Sequence, residues 1–231
     1  MNAPAVQSPH DWLAERLGHR FREPALLEAA LTHRSAGPAN YERLEFVGDA
    51  LLNCVIAVRL YHEFPEASEG ELSRYRAALV SGSSLAEVAA ELGLGERLRL
   101  GGGELKSGGF RRLSILADAL EAVFGAVYLD AGYDAAAGVV GRLYAGRLGR
   151  LPAAGELKDP KTRLQELLQG RGHALPVYVV DSVSGEPHEQ TFAVTCSVEA
   201  LGLSASGSGS SRRKAEQEAA LGVLAAAEAQ P

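Results

Sequence analysis

Cysteine is scarce: the 231 residues hold two, Cys54 and Cys196. Neither belongs to a Cys-x-x-Cys pair or to a Cys/His set with zinc spacing, which excludes a disulfide framework and a thiolate zinc site. Both stand in apolar stretches, so buried free thiols are expected. Long hydrophobic runs are missing as well, and none approaches the roughly 20 residues that cross a bilayer. The amino terminus lacks the basic-then-apolar pattern of a secretory signal. No membrane partner is expected, and the cytoplasm is the expected location. There is no surplus of positive charge either. With a net charge of −6, any attraction to a polyanion has to come from local basic clusters. No fixed-period repeat or low-complexity tract is present, which excludes a solenoid or a long disordered tail.

What remains is a chain that is 46% apolar, enough to fill a core in one or two domains. Its character changes near residue 150. Upstream, the spacing predicts helices over 11–17, 24–33, 42–62, 70–79, 83–92, 114–130 and 134–148, punctuated by Pro24, Pro65, Gly82 and Gly93. Downstream, a helix over 160–170 follows Asp159 and Pro160. Alternating segments at 176–183 and 190–198, a third strand at 200–206, a Gly/Ser turn and a helix from 212 to 227 complete the order α-β-β-β-α. The expected division is an all-helical domain over 1–152, a linker at 153–157 and an α+β domain over 158–228.

Two runs rich in core-type side chains carry acids at helical spacing. Glu42, Glu45 and Asp49 stand at i, i+3 and i+7, and Asp118 and Glu121 at i, i+3, so each helix bears one acidic stripe. A carboxylate placed in an apolar setting without a partner costs several kcal/mol, and a divalent cation neutralises most charge in least space. Two such stripes brought together would form a metal cage. One stripe alone is more often a solvated face or half of a salt bridge, for which Arg43, Arg74, Arg76, Arg111 and Arg112 are available. A pair of stripes in matched surroundings favours the cage.

The run Asn40-Tyr41-Glu42-Arg43-Leu44-Glu45-Phe46-Val47-Gly48-Asp49-Ala50-Leu51-Leu52 resembles the signature of the bacterial ribonuclease III family, and Ser114-Ile115-Leu116-Ala117-Asp118-Ala119-Leu120-Glu121-Ala122 is similar to its second acidic motif. Leu31-Thr32-His33-Arg34-Ser35 and Lys106-Ser107-Gly108-Gly109, with Arg111 and Arg112, match the same pattern. Lys158 to Glu166 and Gly207 to Gln217 resemble the two ends of a double-stranded-RNA-binding domain. The resemblance spans residues 12 to 227. It implies an all-α endonuclease domain followed by an α+β domain that binds duplex RNA. It also implies hydrolysis of RNA phosphodiesters to 5′-phosphate and 3′-hydroxyl ends in ribosomal and messenger precursors. Magnesium is the implied ion, with manganese as a substitute, and no small-molecule cofactor is expected. Glu45, Asp49, Asp118 and Glu121 correspond to the metal-binding acids. Asp49 and Glu121 are expected to be catalytic together with Glu42 and Glu69, the last two in an outer or substrate-facing place.

On the same grounds Lys106 and Arg112, in a glycine-rich segment ahead of the second acidic helix, are expected to hold neighbouring phosphates. The residue before that helix, Leu113, is often proline in the family, a departure that bears on loop stiffness. Phe46, whose default would be a core position, is expected to pack across a two-fold homodimer interface. In the second domain, Thr162, Gln165 and Glu166 are expected to meet 2′-hydroxyls and base edges, and His188 to enter the next minor groove. Arg212, Arg213 and Lys214, following Ser211 as N-cap, are expected to address phosphates. Residues 158 to 231 contain seven Lys/Arg and nine Asp/Glu, so affinity should rest on that triplet and fall steeply with salt. His33, His62 and His173 are expected to be structural or surface residues. The alternatives weigh less. A catalytically inactive duplex-RNA-binding protein would not need every acid of the pattern. His10-Asp11 has no companion His/Asp set for an HD-type phosphohydrolase, and no Gly-x-Ser-x-Gly elbow follows a strand.

Overall fold

The computed structural model describes residues 9–186 and 189–229. They divide into two units, one reaching to Ala154 and the other beginning at Gly155. The first is helical: α1 (Pro9–Leu17), α2 (Pro24–Ala30), α3 (Glu42–Glu63), α4 (Glu69–Leu79), α5 (Gly82–Glu91), α6 (Gly102–Lys106) and α7 (Leu113–Leu148).

Helix α3 begins where Asn40 Oδ1 accepts the Glu42 amide at 3.1 Å. It ends ahead of Pro65, because the residue before a proline is pushed out of the helical region and Phe64 has left it (φ −124°, ψ 69°). Helix α4 opens on a reciprocal cap between Ser68 and Glu71. Helix α7 is interrupted at Gly132, whose φ of 83° suits glycine, in keeping with the two helices expected over 114–130 and 134–148.

The unit is organised around α3 against α7. Leu52, Ile56 and Leu60 of α3 and Leu120, Phe124 and Val127 of α7 are wholly buried, each contributing about 2 kcal/mol of apolar burial. Glycine lets the two backbones touch. A Cβ on Gly48 would lie 1.8 Å from the Glu121 carbonyl oxygen, and one on Gly125 would lie 2.2 Å from that of Leu44. This contact places the Glu42–Asp49 turns of α3 beside the Asp118–Glu121 turn of α7. A second anchor joins the distal end of that α7 segment to the start of the chain. The Asp130 carboxylate, 1% exposed, accepts the Arg22 and Glu23 amides at 3.0 and 2.9 Å and pairs with His19 Nε2 at 2.9 Å.

The second unit consists of α8 (Pro160–Gly170), β1 (Val177–Ser184), β2 (Thr191–Val198), β3 (Leu203–Gly209) and α9 (Arg212–Glu228). The three strands form one antiparallel sheet in the order β1-β2-β3, with a register shift between Val180 and Ser182. Leu164 and Leu168 of α8, Cys196 and Val198 of β2, and Ala219, Ala220, Val223 and Leu224 of α9 make its core. Strand β3 lies so close to α9 that a Cβ on Gly207 would meet the Ala219 nitrogen at 2.3 Å.

The structure departs from the sequence reading in four places. Helix α2 ends at Ala30 rather than 33 because Leu31–His33 pair with Arg99: the Arg99 amide donates to Leu31 O at 2.8 Å and the His33 amide to Arg99 O at 3.0 Å. Strand β3 begins at 203, not 200, since Glu199–Leu201 form a 3-10 turn closed by Gly202 at φ 61°. The glycine-rich segment contains helix α6. Cys54 is exposed, not buried, because it lies eight residues after Phe46 on the outward stripe of α3; Cys196 is buried as expected.

Candidate metal centre and nucleic-acid interface

Glu45 from the first turn of α3 and Asp118 and Glu121 from the start of α7 offer carboxylate oxygens that all lie within 4.8 Å of one another. At that separation two unit charges repel by about 3 kcal/mol at an effective dielectric constant near 20. Crowding and burial together perturb these carboxyls. Burial, and then the charges of Asp49, Glu45 and Asp118, push the Glu121 carboxyl up to about 8. Burial followed by Asp118 raises Glu45, and burial raises Asp118 against the opposing pull of His33 and Arg34. Burial, followed by Asp118 and Glu45, also raises the hydroxyl of the buried Tyr41. A set of hard oxygen donors that repel one another in partial burial fits a divalent cation such as magnesium or calcium.

The remaining expected acids are distributed differently. Asp49, one turn along α3, is exposed, and its Oδ1 accepts from Asn53 Nδ2 at 2.9 Å. It acts on Glu121 and Glu45 through charge while standing outside the 4.8 Å set. Glu42 faces Arg34 at 3.5 Å on the rim of a cavity of about 220 Å³ that it shares with Glu45 and Asp118. Glu69 opens α4, accepts from Ser73 Oγ at 2.8 Å and does not line that cavity.

Arg112 does line it, together with a residue that the sequence reading passed over, Glu104 of α6. The Arg112 guanidinium stands 3.0 Å from Glu104 Oε2, a buried oxygen. Glu104 is the lone acid among the glycines and basic residues of 101–112. That isolation was the signal available in the sequence. The segment is tied to the site by the Leu31–Ser35 motif: Ser35 Oγ accepts the Gly101 amide at 2.9 Å, and a Cβ on Gly101 would meet Ser35 O at 2.2 Å. His33, expected to be structural, is buried, bonded to Ser35 through Nδ1 at 2.7 Å, and lines the same cavity. Lys106 is exposed at the end of α6, and Leu113, 61% exposed, opens α7.

The expected RNA-facing residues of the second unit lie on α8 and at the start of α9. Thr162, Gln165 and Glu166 are exposed on α8, and Glu166 is engaged by Lys158. The Ser211 hydroxyl caps α9 by accepting the Lys214 amide at 3.3 Å. Arg212 binds Glu216 at 2.8 Å, Arg213 approaches Asp159 at 3.4 Å, and Lys214 Nζ meets Ser210 Oγ at 3.3 Å. His188 lies outside the described residues. Phe46 is 79% exposed on α3, followed on the same helix by Val58 and Tyr61, while Tyr128, Leu129 and Tyr133 are exposed on α7.

Residues 23–148 match the Ribonuclease-III-like family, and residues 160–226 match the double-stranded RNA binding motif. The chain belongs to the ribonuclease III family. It is 57% identical over 219 residues to ribonuclease 3 of Alkalilimnicola ehrlichii, covering 95% of this chain and 96% of that one. With ribonuclease 3 of Nitrosococcus oceani it shares 59% identity over 215 residues, 92% of each chain. Among solved structures, the nuclease domain of ribonuclease III from Campylobacter jejuni, described for flexibility in a region involved in dimer formation, aligns with a TM-score of 0.59. That alignment has 41% identity and covers 60% of this chain and 98% of that one. The fold is therefore that of a ribonuclease III, a helical nuclease unit followed by a duplex-RNA-binding unit of three antiparallel strands and a closing helix. No helix among the described residues is long and apolar enough to cross a membrane.

Proposed function

We propose that the protein is a magnesium-dependent endoribonuclease that hydrolyses phosphodiester bonds in double-stranded RNA, leaving 5′-phosphate and 3′-hydroxyl ends. The observation that carries this reading is the convergence of Glu45, Asp118 and Glu121 within 4.8 Å in a chain whose second unit matches a duplex-RNA-binding motif. Those three carboxylates, with Asp49 one helical turn from Glu45, would hold the ion. A bound divalent ion supplies a more nucleophilic water and charge stabilisation at phosphorus. Around it the chain's own residues bind and orient the substrate. Arg112, the residue before α7 and braced by Glu104, lines the cavity together with Arg34, and the two guanidinium groups would hold phosphates flanking the scissile one. Glu42 orders Arg34, and Lys106 extends the basic border. Glu69, on α4 and outside that cavity, would serve on the substrate side.

In the same reading α8 and the start of α9 hold the duplex by shape, since the major groove of A-form RNA is closed to side chains. Thr162, Gln165, Glu166 and His188 serve the minor grooves, and Arg212, Arg213 and Lys214 the phosphates. Phe46 and the exposed apolar residues of α3 and α7 form a two-fold homodimer interface, which sets two metal sites toward the two strands of one duplex. Manganese substitutes for magnesium. The substrates are structured ribosomal and messenger precursors in the cytoplasm. A catalytically inactive, binding-only protein is the weaker reading, because the three clustered acids have no structural need to converge.

The test is to incubate the pure protein with duplex RNA, single-stranded RNA and duplex DNA, each with magnesium and with chelator. Cleavage confined to duplex RNA with magnesium is expected. Cleavage that persists in chelator, or duplex RNA that is bound but never cut, would overturn the enzymatic assignment.

A further inference from the structure

Five of the seven Lys and Arg side chains between Lys158 and Lys214 contact a carboxylate: Lys158 with Glu166, Lys161 and Arg212 with Glu216, Arg163 with Glu228, and Arg213 with Asp159. Most of these pairs are solvated on at least one side and worth little. Glu216 differs. It is 7% exposed and serves two cations from distant parts of the chain, with Oε1 accepting Arg212 Nε at 2.8 Å and Oε2 accepting Lys161 Nζ. Lys161 Nζ also sits 4.5 Å from the centre of the Tyr178 ring, which fixes it from a second side. Each cation leaves donors unspent, because an ammonium carries three and a guanidinium five. Arg212 keeps 65% of its side chain in solvent and Lys161 34%. The Lys161 hydrogen bond, against the cost of burial, holds the Glu216 carboxyl below the usual range.

We infer that Glu216 is a positioning residue for duplex-RNA binding: it fixes Lys161 of α8 and Arg212 of α9 at a set separation, so that cations from both ends of the domain meet the phosphates as one preformed pair. The inference rests on the reading that the start of α9 faces RNA. It also makes a prediction whose sign opposes simple electrostatics. Glu216→Gln removes a negative charge beside two cations, which by charge alone tightens the hold on a polyanion. If Glu216 instead supplies order, its loss frees both side chains, and their immobilisation then has to be met from the binding energy.

Affinity of the full chain for a duplex RNA is measured in chelator, where no hydrolysis consumes the RNA, as a function of salt. Glu216→Gln is expected to bind about tenfold more weakly, and the slope of log affinity against log salt is expected to shrink by about one as fixed phosphate contacts are lost. Glu199→Gln, which makes the same charge change at an exposed position of the domain, is expected to bind as tightly as the parent or more so. Equal or tighter binding by Glu216→Gln, with an unchanged or steeper slope, would overturn the positioning role. If the glutamine variant does not fold, Glu216→Asp keeps the charge and shortens the arm by one methylene. Weakened binding supports positioning, and parental binding refutes it. Replacing Arg212, Arg213 and Lys214 together by alanine separates this inference from the reading beneath it, because parental affinity in that variant removes the start of α9 from the RNA interface.

Discussion

Replacing Glu121 by glutamine should stabilise the metal-free protein at alkaline pH while removing its hydrolytic activity. In the folded chain the Glu121 carboxyl is pushed up to about 8 by burial and then by Asp49, Glu45 and Asp118, from an ordinary 4.5. A folded value above the unfolded one means that the native state holds the proton more tightly. Its stabilising contribution is complete below pH 4.5 and is lost as pH rises through about 8. At 1.36 kcal/mol per unit the unscreened loss at pH 8 is about 4 kcal/mol, and partial solvent access to the cluster leaves about 2 kcal/mol. For a chain of this length 1 kcal/mol moves the melting temperature by roughly 2–4 °C. In chelator at pH 8 the glutamine variant should therefore melt about 4–8 °C above the parent, and at pH 5 the two should coincide. Magnesium should reverse the order, because an ion held only by the folded parent adds to its stability. Scanning calorimetry in chelator and in magnesium at both pH values measures all four melting points. A variant that melts at or below the parent at pH 8 without metal would refute the account of crowded carboxylates.

Phe46→Asp should leave the isolated chain folded, since the side chain is 79% exposed, yet shift dimer to monomer by about 2–4 kcal/mol. Sedimentation velocity at micromolar protein reads the result, and an unchanged coefficient would remove Phe46 from the interface. Asp130→Asn should cost about 1–2 kcal/mol, because charge-assisted bonds from the Arg22 and Glu23 amides become neutral ones. In the parent, burial opposes these bonds and His19, yet together they hold the Asp130 carboxyl below its usual value. Its contribution is thus present above pH about 3.9 and lost as pH falls through the folded value. Acid melts of parent and variant should converge, and a gap that persists at pH 2 would contradict this. Gly48→Ala should cost about 3 kcal/mol or more by overpacking and reduce magnesium-dependent cleavage with it. Parental melting in that variant would deny the backbone contact between α3 and α7.

Much of the molecule was legible in the chain because its signals are local. The i, i+3 spacing of Glu42 with Glu45 and of Asp118 with Glu121 announced two acidic helix faces. The Asp159-Pro160 and Ser211 starts announced the helices that flank the sheet. What escaped depends on residues far apart in sequence. Nothing near Arg213 or Glu216 shows that Asp159 and Lys161 engage them, since both arrive from more than fifty positions upstream. Glu104 reads as one acid in a flexible loop until Ser35 is seen bonded to Gly101. The early end of α2 follows from pairing with Arg99, a tertiary contact that overrides helical periodicity. Cys54 was misplaced because an apolar neighbourhood in sequence does not say which face of α3 turns outward.

The glycine contact between α3 and α7 has a mechanical corollary. Main-chain atoms, which have no rotamers, set the gap between the helices that bear the acids. With the backbones already in contact, accommodation of ions of different radius would fall to the reach of the arms, long for Glu45 and Glu121 and short for Asp118. Preference among divalent ions in such a centre would then follow arm length, through the choice between aspartate and glutamate at each corner.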